Sequence, residues 1–344
     1  MRHPYLSEMV GCLIPVICLL SSTGYAEHSK VMVKDALGQS IEVALPVSRM
    51  VVLSGDGMEV VRILKAHDRV VGVSDSIAKE AVFWSELSSR PVVGKWSEPN
   101  YELIAELHPD LVLCYGRNPG PEADKKFKAL GIALLRLDFY RISTFFAEVT
   151  VLGKVLEREQ EALAFLAWYR EKLAYIQRKI KGGNNQTRVY LESYTDFHTS
   201  GPGSGIHEMC LLAGGKNIAS VFSIPYSQVT SEWVIVENPQ VIVKTCVSPD
   251  AYGTESSALL KACYESINAR PLWSETAALQ NNGVHVLAGD VCAGPRAIIG
   301  VLHMAKWFYP ASMADLDPTS LHREYLEVFH NLPYQGVYVY PEEN

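Results

Sequence analysis

The stretch Lys154 to Lys181, KVLEREQEALAFLAWYREKLAYIQRKIK, limits the possible folds more than any other part of the chain. It contains neither Gly nor Pro and is rich in Ala, Leu, Glu, Lys and Arg, which lose little on entering a helix. Leu163, Leu166, Leu173, Ile176 and Ile180 recur with helical spacing and form one apolar stripe. At 1.5 Å per residue the stretch would reach roughly 42 Å, about the span of two small domains side by side. Gly182-Gly183-Asn184-Asn185 ends it. A connection of that length is stiff, which points to two lobes around a cleft and not to one compact barrel.

The flanking segments support two lobes. Val31 to Leu45 alternates apolar and polar residues around Gly38 and predicts a hairpin. Met50–Ser54, Val70–Val73, Val92–Val93, Asp110–Tyr115 and Ile132–Leu137 then read as strands separated by helical stretches. Such alternation predicts α/β lobes with mainly parallel central sheets. After the long helix the scheme returns, with strands at Arg188–Glu192, Val241–Thr245 and Val284–Leu287. The expected division is 27–150 for the first lobe, 151–183 for the spine, 184–310 for the second lobe, and 311–344 for a helix and aromatic tail. One echo links the halves: Asn100-Tyr-Glu102 through Pro109 matches Thr230-Ser-Glu232 through Pro239 as cap, Glu, helix, Pro and strand. A carboxylate in a first helical turn also suits the positive end of the helix dipole, by about 0.3–1 kcal/mol.

Composition excludes some functions. A net charge of −7 offers no basic surplus for nucleic acid. Residues 1–26 read as a secretory signal peptide: Arg2, an apolar core from Cys12 to Leu20, then Gly24 and Ala26 before Glu27. That apolar run is short of the roughly 20 residues that span a bilayer. Neither Cys12 nor Cys18 has a lipoprotein cleavage context, so export to the periplasm without a lipid anchor is expected. Cys114, Cys210, Cys246, Cys263 and Cys292 remain, none at CxxC spacing; the odd number leaves at least one unpaired, disulfide pairing stays open, and small buried hydrophobes are the plainest reading. His198, His207 and His285 lack paired spacing on one helix, so no metal site or cofactor is assigned. GPGSG at Gly201–Gly205 lacks the Lys-Ser/Thr of a phosphate loop and reads as a strand-to-helix turn. No G-x-S-x-G elbow or HExxH occurs, and no catalytic constellation emerges.

RMVVLSGDGMEVVRILKAHDRVVGVSD, VGKWSEPNYELIAELHPDLVL, HTSGPGSGIHEMCLLAGGKNIA and VTSEWVIVENPQVIV resemble the helical-backbone (class III) ABC-transporter substrate-binding proteins. That class includes the vitamin B12-binding and iron–siderophore-binding proteins, and the resemblance runs from about Val31 to about Phe308. It implies two α/β lobes joined by one long helix, with ligand in the cleft between them. It also implies a monomer that presents Glu102 and Glu232, one per lobe, to an ABC permease. Trp96, Tyr115, Arg117 and His198 fall at the family's cleft positions, and Arg296 keeps its Pro-Arg. Arg117 and Arg296 would donate bidentate hydrogen bonds to carboxylate or catecholate oxygens, although either can serve a structural ion pair instead. Tyr140, Tyr194 and Tyr252 follow predicted strand ends, where α/β sheets place ligands. GDVCAGPRA lacks the aromatics that help enclose a corrinoid, and the tail after Pro310 looks like the iron-complex branch. Ferric siderophore therefore ranks first as ligand, with corrinoid or haem next. Two alternatives remain: a binder of a bare metal ion or oxyanion, and an exported α/β enzyme acting in the cleft.

Overall fold

The computed structural model describes residues 29–180, 186–247 and 250–342. The expected signal peptide and the Gly182–Asn185 helix end lie outside them. β1 (Lys30–Lys34) and β2 (Ser40–Ala44) form the hairpin, turning at Gly38, whose φ of 76° suits glycine. The first lobe then runs β3 (Met50–Val52), α1 (Gly55–Ile63), β4 (Val70–Val73), α2 (Asp75–Lys79), α3 (Tyr101–Glu106), β5 (Leu111–Cys114), α4 (Glu122–Ala129) and β6 (Ala133–Arg136). Its parallel sheet has the order β4-β3-β5-β6. Val92 and Val93 do not form the expected strand; Val92 makes an isolated bridge to Val73.

Two helices cross between the lobes, α5 (Ile142–Val155) and α6 (Glu159–Ile180). The single helix expected over Lys154–Lys181 is therefore broken. Glu157 takes a left-handed φ of 52°, and Arg158 N–H bonds back to Gly153 O at 2.7 Å. At Gly153 an added Cβ would lie 2.7 Å from the Ala162 methyl, so the helices touch there. The remaining spine of 22 residues spans roughly 33 Å. Its buried face is Ala162, Phe165, Leu166, Tyr169 and Ile176, while Leu163 is exposed. The aromatic rings, not the leucines alone, set the face.

The second lobe runs β7 (Arg188–Glu192), α7 (Gly205–Leu212), β8 (Lys216–Asn217), α8 (Ser231–Glu237), β9 (Val241–Cys246), α9 (Ala258–Asn268), α10 (Ala277–Gln280), β10 (Val284–Ala288) and α11 (Ala297–Phe308). α12 (Pro318–Tyr325), a π-helical turn at Leu326–His330 and β11 (Val339–Tyr340) complete it. Its sheet order is β8-β7-β9-β10, the order of the first lobe, with β11 added antiparallel on the β10 edge. The tail thus extends this sheet. α12 also grips the spine, where Trp168 Nε1 donates to Glu324 Oε1 at 2.7 Å.

The sequence echo becomes a structural repeat. Asn100 Oδ1 accepts from Leu103 N at 3.0 Å, and Thr230 Oγ1 from Trp233 N at 3.2 Å. His108 and Asn238, each before its Pro, have φ of 45° and 43°. Arg49 Nη2 donates to Leu107 O, and Arg188 Nη2 to Glu237 O, so an arginine ties each helix to the strand beside it. Alternation along the strands divides the core. Val52, Leu113, Val189, Leu191 and Val243 join one apolar cluster with the spine that crosses both lobes. Val51, Leu53, Val112 and Cys114 face a separate layer in the first lobe. Cys246 and Cys263 form a disulfide between β9 and α9, a pairing that the sequence leaves open. Cys114, Cys210 and Cys292 are free and buried.

Candidate functional site

Both sheets aim the carboxyl ends of their strands at one cavity of about 1090 Å³ between the lobes. Gly55 and Asp56 follow β3, Tyr115 and Arg117 follow β5, and Asp138, Tyr140 and Arg141 follow β6. From the second lobe come Ser193 and Tyr194 after β7, Thr245 on β9, and Gly289 and Asp290 after β10. Its wall is aromatic and unusually open. Trp96, Tyr140, Tyr194 and Tyr226 are 38%, 36%, 53% and 57% exposed, yet all four line it. Large rings left accessible in one concave site mark a surface for a flat or bulky partner. Trp96 stands edge-on to Tyr115, ring centroids 5.6 Å apart.

The floor is charged and buried. Glu59, on α1, accepts from Arg296 Nε at 3.0 Å and from Tyr325 Oη at 2.6 Å. Arg296 also pairs with Asp290 at 3.2 Å. These groups join the first lobe, the start of α11 and the tail helix. Around them Asp56 accepts from Tyr115 Oη at 3.1 Å, and Glu80 from Trp84 Nε1 at 3.2 Å. Burial, aided by the nearby Glu59 carboxylate, pushes Asp56 up to about 7. Burial likewise pushes Glu80 up to about 7 and raises Asp290.

Such a shift burdens the fold in one pH direction. Below about pH 4 Asp56 is protonated in folded and unfolded chains and contributes nothing. Between there and about 7 only the unfolded chain ionises, so stability falls as pH rises, and above 7 the loss is complete. Asp56→Asn is therefore expected to stabilise the protein by about 1–2 kcal/mol at pH 8 and not at pH 4. Thermal melts at both pH values check this; equal effects at both would refute it.

Trp96, Tyr115, Arg117, Tyr140, Tyr194 and Arg296 thus converge on the cavity. Arg296 does so while committed to Glu59 and Asp290, so the structural alternative open to it is realised. His198 and Tyr252 do not line it. His198 Nδ1 lies 3.1 Å from Asp196 O at a bridge to Gln228, on the loop after β7. Tyr252 is buried against Phe83, its hydroxyl donating to Pro333 O. The tail claims that side chain, although its position past β9 resembles a cleft position. His207 is buried and hydrogen-bonded to Asn217, and His285 stacks on Trp307, so these two and His198 do not converge. No three His, Cys, Asp or Glu side chains among the described residues are grouped to hold a metal ion.

Asp56, Glu80, Arg141, Tyr226 and Asp290 are cavity residues that sequence reasoning passed over. Asp56, Arg141 and Asp290 could have been found by the strand-end rule that selected Tyr140 and Tyr194. Glu80 and Tyr226 carry no such signal. Gly201–Gly205 forms the expected turn, with Ser204 capping α7. At Gly205 an added Cβ would lie 2.8 Å from Tyr140 O, so the lobes meet there. Glu102 and Glu232 lie outside the cavity, exposed on α3 and α8, with no basic partner among the described residues. Its own backbone N–H and the Thr230 hydroxyl hold Glu232 below its ordinary value.

Comparison with known proteins agrees with this fold. Residues 50–291 match the family model described as periplasmic binding protein. An uncharacterized ABC transporter substrate-binding lipoprotein, YvrC of Bacillus subtilis, is 27% identical over 81% of this chain and 86% of its own. The vitamin B12-binding protein of Salmonella paratyphi A is 28% identical over 44% of this chain and 57% of its own. Among solved structures, the molybdate periplasmic binding protein MolA of Haemophilus influenzae, bound to molybdate, superposes with a TM-score of 0.73. At 19% identity it covers 89% of this chain and all of its own, a likeness of fold.

Proposed function

The chain belongs to the periplasmic binding protein family, and from that premise we propose that it captures a metal chelate and delivers it to an ABC permease. Ferric siderophore is the first ligand, corrinoid or haem the next. The observation that carries this reading is the cavity of about 1090 Å³ walled by accessible aromatic rings. It lies just above the roughly 300–1,000 Å³ common for small-molecule sites. Trp96 supplies a stacking face, with Tyr115, Tyr140, Tyr194 and Arg117 around it, and Arg296 forms the floor. His198 and Tyr252 are not part of this proposal. We further propose that the protein is a monomer, exported by residues 1–26 without a lipid anchor. No helix among the described residues is long and apolar enough to cross a membrane. Glu102 and Glu232 are assigned to permease docking because equivalent, exposed helices present them.

Trp96→Ala is expected to weaken chelate binding about tenfold, or about 1.4 kcal/mol. Tryptophan-quenching titrations with ferric siderophores, haem and cobalamin test this. Saturable quenching unchanged in the variant would remove Trp96 from the site, and silence with every chelate would remove the chelate reading. A second reading, an oxyanion binder, draws on Arg117 and Arg141, which have no carboxylate partner among the described residues, and on the fold shared with MolA. Stoichiometric molybdate binding without any chelate response would favour it.

A further inference from the structure

We infer that the cavity takes a ligand of two opposite poles, a cationic or N–H-rich group at Asp56 and Glu80 and an anionic edge at Arg117 and Arg141. This deepens the chelate reading and rests on it. The argument comes from sorting the charged groups by partner. Glu59 and Asp290 are answered by Arg296, and Asp138 accepts from Gly116 N at 2.8 Å. Asp56 and Glu80 receive only the neutral donors Tyr115 and Trp84, with no cation in contact among the described residues. Arg117 and Arg141 have no carboxylate in contact there either, and Arg141 Nε is buried without an acceptor. No ion pair joins Asp56 or Glu80 to Arg117 or Arg141 among the described residues; the carboxyls follow β3 and β4 and the arginines follow β5 and β6, opposite halves of the sheet order β4-β3-β5-β6.

Asp56, Glu80 and Arg141 are partly buried without a counter-charge, a cost that a ligand of complementary polarity recovers, while Arg117 is exposed and free to meet one. A uniformly anionic chelate would answer the arginines but meet the carboxyls. A bare oxyanion could reach only one pole. The neighbours matter to the acid pole: Asp56 faces Glu59, Tyr115, Asp138 and Arg296, while Glu80 faces Trp84, Glu59, Asp290 and Arg296. Ionisation near pH 7 then strengthens the hold on a cation.

Three forms of one ferric trihydroxamate test the inference: a terminal free amine, its N-acetyl derivative and its N-succinyl derivative, titrated by tryptophan quenching at pH 6 and pH 8. Wild-type protein should bind the amine and the succinyl forms about tenfold tighter than the acetyl form, the amine advantage growing at pH 8. Asp56→Asn with Glu80→Gln should remove the amine advantage alone, and Arg117→Ala with Arg141→Ala the succinyl advantage alone. Equal binding of all three forms, or loss of both advantages in one variant, overturns the two poles while leaving the chelate reading intact. Binding of haem or cobalamin without any trihydroxamate has the same meaning. Silence of every chelate overturns both readings.

Discussion

Arg296→Ala is expected to lower the unfolding free energy by about 3–5 kcal/mol, the cost of stranding a buried carboxylate. Arg296 is 6% exposed and Glu59 is 3% exposed, and the pair is closed over by Tyr325 and by the Phe83 ring. Glu59→Ala should cost less, because Arg296 keeps Asp290 as a partner. Arg296→Lys keeps the charge but not the forked donors that reach Glu59 and Asp290 together, so it should fall between wild type and alanine. Replacing the pair, Glu59→Gln with Arg296→Met, should recover only part of the loss, because Glu59 is no longer stranded but Asp290 still loses its partner. Urea unfolding monitored by tryptophan fluorescence measures all four. A cost below about 1 kcal/mol for Arg296→Ala would mean that water reaches the floor and solvates Glu59.

Reversing the two carboxylates proposed to dock the permease, Glu102→Arg with Glu232→Arg, should abolish ligand uptake through the permease while leaving ligand affinity unchanged. Both side chains are exposed and outside the cavity. Loss of the favourable helix-dipole interaction should lower stability only slightly. Glu102→Gln with Glu232→Gln separates the two roles, since it removes charge with little change in shape. Uptake in reconstituted vesicles that survives reversal, beside an ordinary melt, would show that these residues serve only the helix ends.

What local chemistry decides can be read along this chain, and what distance decides cannot. The Gly38 turn, the caps at Asn100 and Thr230 and the stops at Pro109 and Pro239 are each made by neighbours, so the repeat of the lobes was legible. Glu157 is different, because a helix-forming residue takes a left-handed backbone where α6 packs back on α5. The cavity was legible to the extent that strand ends supply it, which selected Tyr140 and Tyr194 correctly as lining residues and would have added Asp56 and Arg141. The same rule placed Tyr252 in the cleft, although a carbonyl 81 residues away holds it in the core. Arg296 showed both sides: its Pro-Arg marked the position, but only the fold reveals the carboxylate 237 residues earlier that occupies its guanidinium.

That separation bears on the order in which the molecule is assembled. Glu59 is synthesised 237 residues before Arg296 and 266 before Tyr325, the groups that make its burial tolerable. An emerging first lobe can pair its strands and cap its helices, but it must keep this carboxylate in water until the second lobe arrives. The floor of the cavity therefore depends on contacts of high sequence separation, which no part of the chain before α12 can complete alone. A nascent or truncated chain lacking α12 has no finished floor on which to hold a ligand, so capture waits on completion of both lobes.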